Sequence, residues 1–326
     1  MVSIAAKGFL PCIEFGEPLN FKSLSVVPLV GPTHSDPSYR LFGPDLAGDV
    51  EIDEVDDAGS VPNLRVTNRL TDRILLIDGQ ELVGAKQNRI LNTDVLVPAS
   101  TQITIPVTCV ESGRWAYSRR GFGAGKMAYS SARAAKCSQV HRSLVATSEH
   151  RSDQAEVWAG IDNIACCMRA ASPTNAMSDV YRHKERDLAE AREAFTLPEN
   201  TVGIAVYSGK RLLGLDLFDR AATLEHHWQS LLDSYVLDWL AFEGGDAGDA
   251  PGEPSEHATP LEELFESLQQ AQWDRFDTPG EGYDLRWASD RLTASALAWG
   301  EGDTQAVVHL QVFPRERQAQ GELSRR

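Results

Sequence analysis

Between Arg73 and Val110 the chain repeats one pattern, a short apolar run followed by turn residues. Arg73–Ile77 is followed by Asp78-Gly79, Gln80–Val83 by Gly84, Asn88–Asn92 by Asp94–Val97, and that run by Pro98. Runs this short match strands rather than helices, so the stretch can bury its apolar side chains only by stacking several strands. Asp78-Gly79 predicts a hairpin between the two runs that flank it. Gln102–Val110 closes the series. Its odd positions Ile103, Ile105, Val107 and Cys109 share one face, because side chains alternate along a strand. Upstream, Ser25–Val30 stops at Gly31-Pro32, and in Val50–Val55 the apolar Val50 and Ile52 alternate with Glu51 and Asp53. Short strands separated by turns suggest a sandwich or small barrel over residues 20–117.

The rest of the chain mixes helix and strand signals. Residues 114–151 hold eight bases and one acid, and their glycine-rich part, 121–126, reads as a loop running into a helix. Residues 126–197 read as mainly helical. Trp158, Ile161, Ala165 and Met168 make one stripe; Tyr181, Leu188, Ala191 and Phe195 make a second helix ending before Pro198. In 201–242, Thr201–Tyr207 and Arg211–Phe218 form a hairpin around Ser208-Gly209, and the row from Leu224 to Trp239 forms an amphipathic helix. The acidic, glycine-rich stretch 243–258 reads as a linker. Over 259–313, a helix capped by Thr259 with Pro260 and Glu262 precedes a meander of Tyr283–Ala288, Leu292–Trp299 and Gln305–Phe313. Residues 314–326 read as a frayed tail. The expected class is α+β. Its N-terminal half is a mostly antiparallel sandwich or barrel-like structure, its middle is helical, and a second antiparallel sheet lies near the C-terminus.

Composition narrows the function. Forty-seven acids against thirty-one bases leave a net charge of −16, which disfavours nucleic acid and anionic membranes as partners. No apolar run is long enough for a spanning helix, and the broken apolar stretch Met1–Leu10 is too short for a secretion signal. Five irregularly spaced cysteines do not make a disulfide framework, so the expected location is the reducing cytoplasm.

Familiar chemistry is hard to find. No histidine lies between His34 and His141; Cys137 with His141 gives two ligands, too few for a tetrahedral site, so no metal and no cofactor is expected. The string Gly121-Phe122-Gly123-Ala124-Gly125-Lys126 lacks the P-loop's first glycine, where Arg120 stands, and its hydroxyl residue, where Met127 stands. There is no G-x-S-x-G elbow. What remains is polar residues among strands: Glu81, Lys86-Gln87-Asn88-Arg89 and Asn92. Amides suit a base, ribose or amide group, and Arg89 suits a phosphate; on residue types alone a solvated edge strand is the simpler account. Cys109 ends an inward apolar row, which suits a buried inert thiol. Glu111 continues that row, and a buried carboxylate needs a partner. Arg114 is the natural one, as a structural latch or as part of a site.

The strings Leu76-Ile77-Asp78-Gly79-Gln80-Glu81-Leu82-Val83-Gly84-Ala85-Lys86-Gln87-Asn88-Arg89 and Ile105-Pro106-Val107-Thr108-Cys109-Val110-Glu111-Ser112-Gly113-Arg114-Trp115 resemble the ARG- and rhodanese-phosphatase-superfamily-associated protein domain family. Val202-Gly203-Ile204-Ala205, Gly214-Leu215-Asp216-Leu217-Phe218 and Val308-His309-Leu310 are similar to its later signatures. The resemblance implies a single domain over 20–313 and a link to NAD or ADP-ribose metabolism. It carries over Glu81, Gln87, Asn88, Arg89, Cys109, Glu111, Arg114 and Trp115. On that basis Glu81, Glu111 and Cys109 are the catalytic candidates, with Glu81 or Glu111 as a general base at a glycosidic or phosphoester bond. Gln87, Asn88, Arg89, Arg114 and Trp115 would bind a nucleotide-like or phosphorylated small molecule. The alternative is a non-catalytic binding or scaffold module with a protein partner. Catalysis requires the charged residues to converge on a pocket. A scaffold requires them to satisfy one another beside an exposed apolar patch.

Overall fold

The computed structural model describes residues 2–5, 10–34, 36–56, 62–243, 260–300 and 306–315, with backbone only at 2–5 and 243. These fall into two compact units, one from Met1–Pro37, Glu185–Phe276 and Tyr283–Arg326, the other from Ser38–Lys184 and Asp277–Gly282. Helices and largely antiparallel sheets make the chain an α+β protein.

The first unit is built on a ten-stranded sheet. Its spatial order is Val2–Ala5, Gln272–Asp277, Tyr283–Ala288, Leu292–Trp299, Ala306–Pro314, Arg211–Phe218, Thr201–Ser208, Leu24–Val30 and Glu14–Phe15, with Leu19–Phe21 also on Leu24–Val30. The strand expected at Ser25–Val30 therefore serves this sheet and not the β-rich unit that follows it in sequence. Alternation gives the sheet two faces. Leu215, Leu217, Leu310, Val312, Ala294, Ala296 and Leu285 share a core with Leu261, Leu264, Phe265 and Leu268 of the helix Leu261–Gln270. Thr259, expected as the cap of that helix, lies outside the described residues. The opposite face carries a cross-strand row of Asp216, Gln311, Ser295 and Arg286, all buried. The helix Ala221–Glu243 packs on the strands Thr201–Ser208 and Arg211–Phe218. Its Tyr235 hydroxyl donates to Asp216 Oδ2 at 2.7 Å, and its Trp239 indole donates to Ser23 Oγ at 2.8 Å.

The second unit stacks two sheets on one core. The larger runs Phe122–Met127, Gln80–Gly84, Arg89–Leu91, Thr101–Cys109, Asn63–Asn68, Val50–Glu54; the smaller runs Val95–Val97, Arg73–Leu76, Tyr39–Leu41. Leu64, Val66, Ile52, Leu82, Leu91, Ile105, Val107, Ile74 and Leu76 fill the space between. The outer strands of the larger sheet approach each other. A Cβ built on Gly121 would lie 3.1 Å from Asp53 Oδ1 and 3.2 Å from the Ile52 carbonyl, so the sheet curls into a half-barrel.

Three local expectations change. Asp78-Gly79 is a turn, with the Gln80 amide on the Ile77 carbonyl at 3.1 Å and Gly79 at φ +83°. It does not make a hairpin, because Arg73–Leu76 pairs with Val95–Val97 and Tyr39–Leu41 while Gln80–Gly84 pairs with Arg89–Leu91 and Phe122–Met127. The turn moves the chain from one sheet to the other. Residues 121–126, expected as a loop, are largely a strand. The helix expected from Tyr181 to Phe195 is two, Met177–His183 and Glu185–Ala194. Among the described residues no helix is long and apolar enough to cross a membrane.

Candidate functional site

The polar motif residues gather at one end of the half-barrel, on both of its faces. Glu81 lies on the outer face of the strand Gln80–Gly84 and has no solvent exposure. The partner strand bulges at Gly125-Lys126. A Cβ at Gly125 would come within 2.6 Å of Val83 Cγ2 and 2.8 Å of Glu81 Oε2, so glycine is what leaves room for these side chains. Asn88 Nδ2 donates to Glu81 Oε1 at 3.1 Å, while Oε2 has no hydrogen-bond partner among the described residues. Burial lifts the Glu81 pKa to about 7. The Asn88 bond and the Lys126 backbone oppose the shift, Glu111 adds to it, and Arg182 opposes it.

Asn88 also ties Glu81 to the next pair. Its backbone amide donates to Glu111 Oε2 at 3.1 Å, and its Oδ1 accepts from Arg114 Nη2 at 3.1 Å and from the Gly84 amide at 3.2 Å. Arg114 grips Glu111 in bidentate fashion, Nε to Oε1 at 2.9 Å and Nη2 to Oε2 at 2.6 Å. Its Nη1 donates to the carbonyls of Ala85 at 2.6 Å and Ala116 at 2.8 Å. Thr174 Oγ1 donates to Glu111 Oε1 at 2.7 Å. Burial pulls the Glu111 carboxyl upward, but the bonds from Arg114, Thr174 and the Asn88 amide outweigh it and hold the group below its ordinary value. Glu111 and Arg114 are thus fully engaged within the protein. The latch also folds the loop after it, with the Ala116 amide on the Lys86 carbonyl at 3.3 Å and the Ser118 amide on the Ala85 carbonyl at 3.0 Å.

That loop, residues 112–120, presents Trp115 and Tyr117, 49% and 56% exposed, among the few large apolar side chains in solvent. The Lys86 ammonium lies 5.5 Å from the Trp115 ring centre and 5.4 Å from that of Tyr117, within cation–π range. Tyr117 was not singled out in the sequence; its spacing from Trp115 was the available signal.

Arg89 and Cys109 point the other way. Arg89 lies directly across from Leu82 and from Cys109, and Glu54 directly across from Leu64, so these side chains share the inward face of the half-barrel. Arg89 Nη1 donates to the Gln87 carbonyl at 3.1 Å and Gln87 Oε1 at 3.2 Å, and the Trp115 ring centre is 5.9 Å from its Cζ. Burial pushes the Cys109 thiol up, Arg89 pulls it down, and the net direction is up, so the thiol stays protonated. Gln154, from the helix Gln154–Cys167, closes the strand end by bonding both the amide and the carbonyl of Cys109, at 2.9 and 2.7 Å.

The structure therefore brings Glu81, Asn88, Glu111 and Arg114 into one network, and sets Arg89 and Cys109 on the opposite face with Trp115 near Arg89. The basic stretch 114–151 does not form one cationic surface, since Arg133 and Lys136 are buried, the latter against Asp78. Among the described residues no group of three or more His, Cys, Asp or Glu is placed to hold a metal ion.

The family model described as ARG and Rhodanese-Phosphatase-superfamily-associated Protein domain matches residues 12–313. The chain belongs to this family. No curated protein and no solved structure matches it. The motif residues above all fall inside the matched span, and the family's description supplies an association with an enzyme superfamily rather than a reaction.

Proposed function

We propose that this chain is a non-catalytic binding module whose residues 112–120 dock a protein partner. The observation that carries this reading is the state of the motif charges. Glu111 and Arg114 are saturated by each other, by Asn88, by Thr174 and by loop carbonyls, and the loop they brace carries two exposed aromatics with a lysine between them. Rigid Trp and Tyr side chains flanked by cations are the composition of interface hot spots. The association named in the family's description makes a rhodanese-phosphatase-superfamily protein from the same cell the first partner to try. Five free cysteines suit a reducing compartment such as the cytoplasm.

The test is calorimetric titration of that purified partner with the wild-type chain and with Trp115→Ala/Tyr117→Ala. Affinity should fall by roughly 30-fold or more, as truncation of hot-spot aromatics gives, with an unchanged melting temperature. Equal affinity in the double variant removes the loop from the interface.

A second reading is binding of a nucleotide-like or phosphorylated small molecule linked to NAD or ADP-ribose metabolism. The observation favouring it is Trp115 beside Arg89, whose Nε and Nη2 have no hydrogen-bond partner among the described residues. A thermal-shift screen with NAD and ADP-ribose tests it. A ligand at 100 times its dissociation constant adds about 2.7 kcal/mol, a shift of a few degrees for a chain of this size.

A further inference from the structure

We infer that Arg89 and Glu54, facing each other inside one end of the half-barrel, form a binding site for the primary carboxamide group of a small molecule. The inference rests on the small-molecule reading and is independent of the protein-partner reading.

Much of the inward face of the half-barrel is apolar, with Asn68 and Gln80 as further buried polar residues on it. Strand register places Leu82, Leu91, Ile105, Val107, Leu64 and Ile52 on its inward face. At one end the same alternation puts Glu54 two residues beyond Ile52 and Arg89 two residues before Leu91. Ionised side chains on an inward, apolar face are costly unless paired and hydrogen-bonded. Arg89 has no exposure, and the Glu54 side chain is 6% exposed. Yet their nearest atoms, Arg89 Nη2 and Glu54 Oε1, are 3.8 Å apart, too far for a hydrogen bond. Among the described residues, Arg89 Nε and Nη2 and both Glu54 oxygens have no hydrogen-bond partner. The guanidinium is held in place from its other side, since Nη1 is bound to Gln87. Its side-on donor edge is thereby fixed and unused.

A donor and an acceptor held 3.8 Å apart select the chemistry that fits beside them. A carboxylate or phosphate would satisfy Arg89 but oppose Glu54. An amine would do the reverse. A carboxamide offers an acceptor oxygen and a donor nitrogen about 2.3 Å apart across one carbon, from the amide bond lengths. With hydrogen bonds of about 2.9 Å to each side, the two pairs close a nearly parallel-sided figure. The oxygen takes Arg89 Nη2 and the amino group gives to Glu54 Oε1, so neither charge is left unpaired. Trp115, half exposed and next to the guanidinium, is the side chain whose rotation admits the ligand and whose ring then stacks on it. The open ends of small β-barrels are common ligand sites for the same reason, a dry apolar lining with a few converging polar groups.

The experiment uses the full chain and three probes: nicotinamide, nicotinate and N,N-dimethylnicotinamide. Thermal shift and tryptophan fluorescence are recorded up to high millimolar concentration. Nicotinamide should stabilise the chain. Nicotinate and the dimethyl amide, which lack the N–H donor, should bind at least about tenfold more weakly, the usual scale for losing a hydrogen bond to a charged group. Glu54→Gln should weaken nicotinamide and improve nicotinate. Arg89→Lys should abolish both; should it fail to fold, Glu54→Gln decides alone. The inference is overturned if nicotinamide gives no shift, if all three probes act alike, or if Glu54→Gln leaves the preference unchanged. A crystal structure with a lone water bridging Arg89 and Glu54 in saturating nicotinamide also overturns it. ADP-ribose separates the two failures. If it stabilises the chain while carboxamides do not, this inference falls and the small-molecule reading stands. If neither acts, both fall.

Discussion

Two buried titratable residues give the chain opposite responses to pH. Glu81 has its pKa lifted to about 7 by burial, above the ordinary glutamate value, so the folded chain holds that proton more tightly than the unfolded chain. The stability this contributes is complete below the unfolded value of about 4.3 and is lost as pH rises through 7. Glu81→Gln keeps the Asn88 bond and removes the charge. Urea unfolding at pH 8 should show it more stable than wild type, by up to roughly 3 kcal/mol, with no gain at pH 3. His227 behaves in the reverse sense. Burial, with His226 and His309 nearby and Asp216 opposing, lowers its pKa to about 3. Its stability is complete above the unfolded value of about 6.5 and is lost as pH falls toward 3. His227→Phe keeps a flat ring beside Phe218, 6.2 Å away centre to centre. It should raise the melting temperature measured at pH 4.5 relative to wild type and leave it nearly unchanged at pH 8. An unchanged acid profile would mean that His227 is hydrated in solution.

At the scale of elements, most strands were legible because alternation is a local property. The inward row Ile103, Ile105, Val107, Cys109 belongs to the strand Thr101–Cys109 as expected, with burial rising toward Cys109. The hairpin at Asp78-Gly79 failed for a reason that no local signal carries. The turn is formed, but each flanking strand finds better partners in a different sheet. The strand Asn63–Asn68 was missed although Leu64 and Val66 alternate with Arg65 and Thr67. Gly121–Lys126 read as a loop because glycine disfavours strands, yet here glycine allows the bulge against Glu81. Gln154 supplies a prediction of this scale. It is a side chain standing in for a strand at the Cys109 end, so Gln154→Ala leaves a buried amide and carbonyl unpaired. Chemical denaturation should show a loss of about 1–3 kcal/mol, and Gln154→Glu, which sets a carboxylate oxygen against the Cys109 carbonyl, should lose at least as much.

For the molecule as a whole, the two compact units carry separate cores and separate titrating groups. Glu81 and His227 lie in different units and share no partner. The double variant Glu81→Gln/His227→Phe should therefore show additive changes in stability, within roughly 0.5 kcal/mol. A larger deviation at pH 7 would reveal coupling between the units. The first unit gathers Met1–Pro37 with segments after Glu185, which no periodicity along the chain could announce.

The sequence by itself determined where most strands and helices lie, which of their residues face inward, and that Glu111 needs Arg114. These depend on neighbours a few positions apart, and a period of two or 3.6 is written in the order of residues. It also held the motif strings that place the chain in its family. Only the tertiary structure decided which polar residues work together. Thr174 reaches Glu111 across 63 positions and Arg114 reaches Asn88 across 26. Glu54, an unremarkable acid at a strand end, becomes the partner of Arg89 only because strand pairing curls the sheet and turns both side chains into its interior. Burial, hydrogen-bond saturation and the pKa of Glu81 follow from that closure, since each depends on what surrounds a group in space and not on what precedes it in the chain.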